Sequence, residues 1–398
     1  MSKNKNYFEF INSVKILAGT DALEHIPHEF AYLNCKNPML LTDEGLLKFG
    51  VVDKVKKALG AFKISTTYSK IPPDSGLDTV TEIARIYRER KCDGILAIGG
   101  GSVIDTAKGV RLMISQNCFD LLKLTGYERI PKGRHVPFVV APSTSGTGSE
   151  CTAVAVIRND DKAVKMEFIS QELLPDAAVL DARLTLTLPP RITANTGLDA
   201  LCHAIEAYTC IQKNPLSDAY AITAIRLIKD NLLIALEDGK NDMARLNLSI
   251  ASNLAGIAFS NSMVGLVHAI GHACGGVAKV PHGNAMTILM PYVFEFNLTK
   301  TGVDMSELIP YLADVNVYAG TPSQERGSKF IAVLDKFIAS VCELGGLPTS
   351  LSEAGVTEEQ LDEIAEKAIN DGASIVNPIS ATRADIKNIL KRAMKGRD

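Results

Sequence analysis

The chain has no surplus of positive charge: 42 Lys and Arg stand against 45 Asp and Glu, a formal net charge of -3. With no basic excess to neutralise phosphates, a nucleic-acid partner is excluded. The 8 cysteines (Cys35, Cys92, Cys118, Cys151, Cys202, Cys210, Cys274, Cys342) form no Cys-x-x-Cys pair and do not cluster. That scatter excludes the disulfide framework of a small secreted domain and fits reduced thiols in a cytoplasm. The first residues, Met-Ser-Lys-Asn-Lys-Asn-Tyr, lack the apolar core of a signal peptide. No internal repeat or low-complexity tract occurs, which excludes solenoids and linkers. From Leu246 to Ala278 there is no Asp, Glu, Lys or Arg at all. A bilayer span wants about 20 mostly apolar residues. Here Asn247, Asn253, Asn261, His268 and His272 interrupt the stretch. Buried helices lining a polar site are expected instead, with no membrane partner.

What is present is a chain of 398 residues, 46% apolar and 22% charged, the balance of a globular protein too long for one ordinary core. Up to about residue 190, short apolar runs alternate with helical patterns: Met39–Thr42, then Gly45–Leu59; Lys63–Tyr68, then Leu77–Arg90; Gly94–Ile98, then a helix from Ser102. Val136–Ala141 and Ala177–Leu180 read as further strands. This is the signature of a mainly parallel, doubly wound α/β sheet. After Pro190 the strand signals fade and long helical periodicities take over: Ile192–Thr209, Pro215–Leu236, Asp242–Phe259, Met263–Gly271 and Ser323–Glu343. Two domains are expected, α/β over 1–187 and all-helical over 188–398.

In the first half, Gly99-Gly-Gly-Ser-Val-Ile-Asp105-Thr-Ala-Lys108 follows a strand-like run and opens a helix. Glycines admit a diphosphate close to the backbone, and free amides at a helix start bind its charge. The motif is not Gly-x-Gly-x-x-Gly, so an ordinary Rossmann dehydrogenase is not indicated. Ser102 and Asp105 have the spacing of a capping box. A second loop, Pro142-Ser-Thr-Ser-Gly-Thr-Gly-Ser-Glu150, is rich in hydroxyls and follows another strand. Such a loop holds a cofactor's diphosphate or simply turns the chain. Asp43 ends the first good strand. On residue pattern alone it suits a helix N-cap first, and only second a carboxylate that accepts from ribose hydroxyls and repels a 2′-phosphate.

In the second half, four of the 7 histidines fall in suggestive settings. Asp199 and His203 stand at i, i+4 on one helix face, and His268 and His272 repeat that spacing. Pro281-His282-Gly-Asn is expected as a turn carrying another imidazole. A carboxylate with neutral imidazoles suits Fe²⁺ or Zn²⁺, and a carboxylate such as Asp199 on an apolar face needs a cation.

Over nearly the whole chain these pieces resemble the iron-containing (group III) alcohol dehydrogenase family. Gly197-Leu-Asp-Ala-Leu-Cys-His-Ala-Ile-Glu206, Gly265-Leu-Val-His-Ala-Ile-Gly-His272 and Pro281-His282-Gly carry the resemblance most specifically. It implies a dinucleotide-binding domain, a helical domain and an active-site cleft between them, with hydride passing between an alcohol and NAD. It further implies one divalent metal, iron before zinc, on Asp199, His203, His268 and His282. His272 would lie near substrate as a catalytic residue. Gly99, Gly100, Gly101 and Ser102 would take the diphosphate, while Ser143, Thr144 and Thr147 would line the cofactor pocket. Lys165 would sit at the nicotinamide ribose, and Asp43 would select NAD. An assembly of at least two copies and a small alcohol or aldehyde substrate also follow from the resemblance. Two positions depart from it. Many members carry Pro-Asn-Pro where this chain has Pro73-Asp74-Ser75, placing a carboxylate beside the cofactor, and Val154 stands where some polyol-using relatives place a polar residue. A glycerol-dehydrogenase-like polyol enzyme and a dehydroquinate-synthase-like lyase are the competing readings. The lyase needs Lys and Arg near the metal, and Thr193–Thr209 and Leu246–Ala278 contain none.

Overall fold

A computed structural model describes residues 7–127, 130–159 and 164–397. The chain divides into two compact units. One is Asn12–Leu188 with Lys240–Asn253; the other gathers a segment ending at Ile11, Pro189–Gly239 and the chain from Leu254 onward.

In the first unit the elements run β1 (Lys15–Ala18), α1 (Ile26–Tyr32), β2 (Pro38–Leu41), α2 (Glu44–Lys48), α3 (Val51–Ala58) and β3 (Thr66–Tyr68). They continue with α4 (Leu77–Glu89), β4 (Gly94–Gly99), α5 (Gly101–Ser115), β5 (Gly126–Tyr127), β6 (Phe138–Pro142), β7 (Val154–Asn159), β8 (Val164–Ile169) and β9 (Ala177–Leu180). Six strands form one sheet in the order β1-β9-β6-β4-β2-β3, and every pairing in it is parallel. The four inner strands β9, β6, β4 and β2 are nearly continuous apolar runs because both faces are covered. Alternate residues serve opposite cores. Met39, Leu41, Ile95, Ala97, Phe138 and Val140 face a cluster completed by Val80, Ile83, Val103 and Ala107 of α4 and α5. Leu40, Leu96, Ile98, Val139 and Ala141 face Ile26, Phe30, Val51, Val52 and Val55 of α1 and α3. Each fully buried Ile, Val, Leu or Phe contributes about 1.5–3 kcal/mol.

Two expectations are corrected here, and further strands are added. The pattern over Gly45–Leu59 is two helices rather than one, broken at Gly50, whose φ of 70° is left-handed and ends the first. The edge strand β1 and the antiparallel β7–β8 pair lie outside the alternation read from the sequence, although residues 154–157 are an apolar run; each is only partly buried. Ser102 and Asp105 form no capping box: α5 starts at Gly101, its N-cap is Gly100, and no side chain caps it.

The second unit contains α6 (Pro190–Thr209), α7 (Pro215–Glu237), the end of α8 (Asp242–Ser260), α9 (Leu266–Ala278) and α10 (His282–Leu312). Then come α11 (Val315–Gly320), α12 (Arg326–Gly345), α13 (Leu361–Ile369) and α14 (Arg383–Ala393). Helix α6 is the axis of this unit, buried along most of its length and packed on α7, α10 and α12. Among the described residues no helix is long and apolar enough to cross a membrane. The expected turn at Pro281-His282 is instead the start of a helix of 31 residues, with Pro281 as N-cap and His282 as its first residue. A proline fits a helix entrance because its fixed φ costs no helical hydrogen bond there.

Candidate functional site

Helix α6 carries Asp199 and His203 one turn apart, α9 presents His268 and His272, and α10 contributes His282 at its first turn. The donor atoms of Asp199, His268 and His282 all lie within 4.8 Å of one another. Oδ1 of Asp199 is 3.3 Å from Nε2 of His282 and 3.9 Å from Nε2 of His268, while its Oδ2 is 3.9 Å from Nδ1 of His203. The His203 ring stacks on that of His268 with centroids 4.5 Å apart, and on Phe259 at 4.4 Å. Asp199 Oδ1, His203 Nδ1 and His268 Nε2 are buried and make no hydrogen bond. Each such atom costs free energy unless something satisfies it. Three unsatisfied donor atoms of metal-ligating type on adjacent side chains are what a divalent cation would satisfy, so the residues fit the group.

The electrostatics agree. Burial works against the Asp199 carboxylate, but His203, His282 and His268 outweigh it and hold its pKa well below the ordinary range. Burial pushes His203 down to about 3 and His268 well below its usual value, so both imidazoles are neutral and able to ligate.

Behind this group lies a side chain that sequence reasoning had not singled out. Glu206, one turn beyond His203 on α6, accepts the Val267 N–H at 2.7 Å through Oε1 and the His268 Nδ1–H at 2.5 Å through Oε2. This fixes the His268 tautomer and turns Nε2 toward Asp199. Cys202 Sγ is 3.9 Å from the same Nδ1, but burial, Glu206 and Asp199 keep its thiol protonated. Cys202, Glu206 and His268 therefore back the site rather than forming a second one. The position of Glu206 at i+3 from His203 was the available signal.

In the first unit, β2, β4 and β6 are parallel neighbours, so the loops following them emerge at one carboxyl edge, where open α/β sheets bind ligands. A Cβ on Gly100 would stand 3.3 Å from Thr144, and one on Gly101 3.0 Å from Thr147. The Ser143 N–H donates to the Gly99 carbonyl at 2.9 Å. The two loops thus form one cradle, floored by backbone. Thr42 Oγ1 and Ser75 Oγ are buried without a hydrogen-bond partner. Thr42 belongs to this edge, and Ser75 is next to Asp74, which is tied to the cradle. A glycine-walled hollow with unused hydroxyls fits a nucleotide diphosphate. Asp43 caps α2, its Oδ1 accepting the Leu46 N–H at 2.8 Å, so the capping role is realised whatever else the residue does. Asp74, at φ 50°, donates its N–H to Ser102 Oγ at 3.1 Å and accepts from Lys165 Nζ at 2.7 Å.

The cradle is braced from behind. Asp105 accepts from Ser149 Oγ at 2.6 Å and from the Val156 N–H at 3.0 Å. Lys108 is fully buried, and its Nζ donates to the Thr152 carbonyl, Thr152 Oγ1 and the Val154 carbonyl. Burial lowers the Lys108 pKa to about 8, opposed by Asp105.

Two sequence families match the chain: "Iron-containing alcohol dehydrogenase" over residues 13–182 and "Fe-containing alcohol dehydrogenase family, C-terminal" over residues 193–394. The chain belongs to the iron-containing alcohol dehydrogenase family. It is similar to the NAD-dependent methanol dehydrogenase of Bacillus methanolicus, 33% identical over 94% of this chain and 97% of that one. It is also similar to the NADPH-dependent butanol dehydrogenase of Clostridium saccharobutylicum, 35% identical over 94% and 95%. A crystal structure of a 1,3-propanediol oxidoreductase superposes with a TM-score of 0.92 at 32% identity, covering 98% of this chain and all of that one. The protein is thus an oxidoreductase that moves hydride between an alcohol and a nicotinamide cofactor.

Proposed function

We propose that this dehydrogenase uses NAD and one divalent metal, Fe²⁺ natively with Zn²⁺ able to enter the same site, to interconvert a small alcohol and its aldehyde or ketone. Asp199, His203, His268 and His282 would hold the metal. The observation that carries this is the set of buried, unsatisfied donor atoms Asp199 Oδ1, His203 Nδ1 and His268 Nε2. The metal, when bound, supplies Lewis acidity that lowers the pKa of an alcohol hydroxyl or polarises a carbonyl. A bound nicotinamide would supply the hydride acceptor or donor.

The chain's own residues do the rest. Glu206 holds the His268 ring by its Nδ1–H and keeps Nε2 available as a ligand. His272, one turn from His268 and paired with Asp371, would take or return the hydroxyl proton. Gly99, Gly100, Gly101 and Ser102 would receive the diphosphate, and Ser143, Thr144 and Thr147 the adjoining cofactor atoms. Lys165 would meet the nicotinamide ribose, with Asp74 as its present partner. Asp43 would accept from the adenine ribose and disfavour a 2′-phosphate. The named relatives differ in cofactor, so the choice of NAD rests on Asp43. The enzyme works in the cytoplasm as an assembly of at least two copies.

The test separates two histidines that spacing treats alike. His268→Ala should purify without metal and without turnover. His272→Ala should retain metal while hydride transfer slows. Metal analysis of both proteins decides: loss of metal in the second variant alone would reverse the two roles.

A further inference from the structure

His272 does not stand alone. Its Nδ1 lies 3.0 Å from Oδ2 of Asp371, on the segment that leaves α13. The Asp371 carboxylate is placed from several sides. Its Oδ1 accepts the Ala373 N–H at 2.9 Å, its N–H donates to the Ala368 carbonyl, and its own carbonyl accepts the Ser374 N–H. These bonds cap the short turn Gly372–Val376 and leave the carboxylate little freedom to swing. The side chain is 17% exposed, against 29% for His272. Burial works against the charge, but the His272 hydrogen bond holds the Asp371 pKa below its ordinary value.

We infer that Asp371 is the positioning residue for His272, fixing the ring's orientation and placing its proton on Nδ1. The inference rests on the reading of His272 as the proton-handling group. A carboxylate can only accept, so the shared hydrogen belongs to Nδ1, and Nε2 is the ring atom that would take a proton from the substrate hydroxyl. When the alcohol loses its proton, that proton moves to Nε2, giving an imidazolium whose charge Asp371 offsets; in carbonyl reduction Nε2 returns it. Neither Asp371 oxygen needs to touch substrate or cofactor. Asp371 is about a hundred residues from His272, and no local pattern links the two.

The substitution Asp371→Asn tests this with little disturbance. The amide oxygen can still cap Ala373, while the amide NH₂ now faces Nδ1 and forces the proton onto Nε2. In zinc-loaded protein labelled with ¹⁵N-histidine, the His272 signal, assigned by its loss in His272→Ala, should report Nδ1–H in the wild type and Nε2–H in D371N. Turnover of D371N should fall roughly 100-fold, the scale of a general acid–base contribution. KM for alcohol and NAD, metal content and melting temperature should hold. A D371N enzyme that keeps its kcat, or slows without a change of tautomer, overturns the inference. If His272→Ala is slow while D371N is fast, only the role of Asp371 falls; if His272→Ala is itself fast, the His272 reading falls with it. Should D371N fail to fold, the wild-type spectrum still decides, since an Nε2–H tautomer for His272 overturns the inference.

Discussion

Oε2 of Glu206 lies 2.5 Å from Nδ1 of His268, joining two buried side chains on α6 and α9. Burial raises the Glu206 pKa to about 7, opposed by the Gly265 and Val267 amides. A cation facing His268 Nε2 would favour the ionised carboxylate and strengthen the bond. Glu206→Gln replaces an acceptor by an amide that can donate to Nδ1, placing the ring proton on Nε2 where the metal should bind. Metal affinity is expected to fall about 10- to 100-fold, the usual effect of removing a carboxylate behind a ligating histidine. Titration against a chelator measures it; an unchanged dissociation constant would leave Glu206 with only a packing role.

Asp43 and Asp74 make separable predictions. Asp43→Gly should improve use of NADP relative to NAD by at least roughly tenfold, about 1.4 kcal/mol. Glycine is the informative replacement because as an N-cap it costs only a few tenths of a kcal/mol. Asp74→Asn frees Lys165 from its 2.7 Å ion pair and should change cofactor affinity without changing the NAD/NADP ratio. Steady-state constants with both cofactors separate the cases, and an unchanged ratio in Asp43→Gly removes that residue from the cofactor site.

The proposed donor set admits either metal, and the proposed preference for iron rests on the family. Three imidazoles and a carboxylate, with the nearby Cys202 thiol protonated, discriminate weakly between Fe²⁺ and Zn²⁺. Protein stripped by chelator should regain more activity with Fe²⁺ under anaerobic conditions than with Zn²⁺, and lose it in air as Fe³⁺ forms. Turnover before and after exposure to air reads this out. Full, air-stable activity with zinc and none with iron would reject iron and leave the four ligands standing.

Asp218 predicts a pH dependence away from the metal. Burial raises its pKa from 3.8 to about 6; Lys213 opposes this, and Asp304 and Glu307 add to it. Its Oδ1 is buried without a hydrogen bond. A carboxyl whose folded pKa is raised binds more protons folded than unfolded between those values, so its contribution to stability falls as pH rises through that window. Asp218→Asn removes the effect. Its melting temperature relative to wild type should therefore climb between about pH 4 and pH 7 and level off above. A difference that does not vary with pH would show that Asp218 titrates normally.

The sequence by itself determined the family, the alternation of strand and helix up to Ala177–Leu180, and the change to helices after Pro190. Those features are local: a period of apolar residues, a glycine run after a strand, or two side chains at i, i+4 are visible within a few residues. Partnership across the chain was not visible. Glu206 bonds a residue 62 positions away and Asp371 one 99 positions away, and packing of α6 and α9 on α10, and of α9 on α13, brings these groups together. Asp105, which resembles a capping residue by spacing, instead braces Ser149 and Val156, because tertiary packing supplies those donors. Proline at 281 suggested a turn, yet a helix entrance satisfies the same fixed φ, and the buried face of α10 decided between them. Local chemistry specifies which groups a segment can offer. The folded chain specifies which of them meet, because burying a polar atom is tolerable only where another element arrives to pair with it.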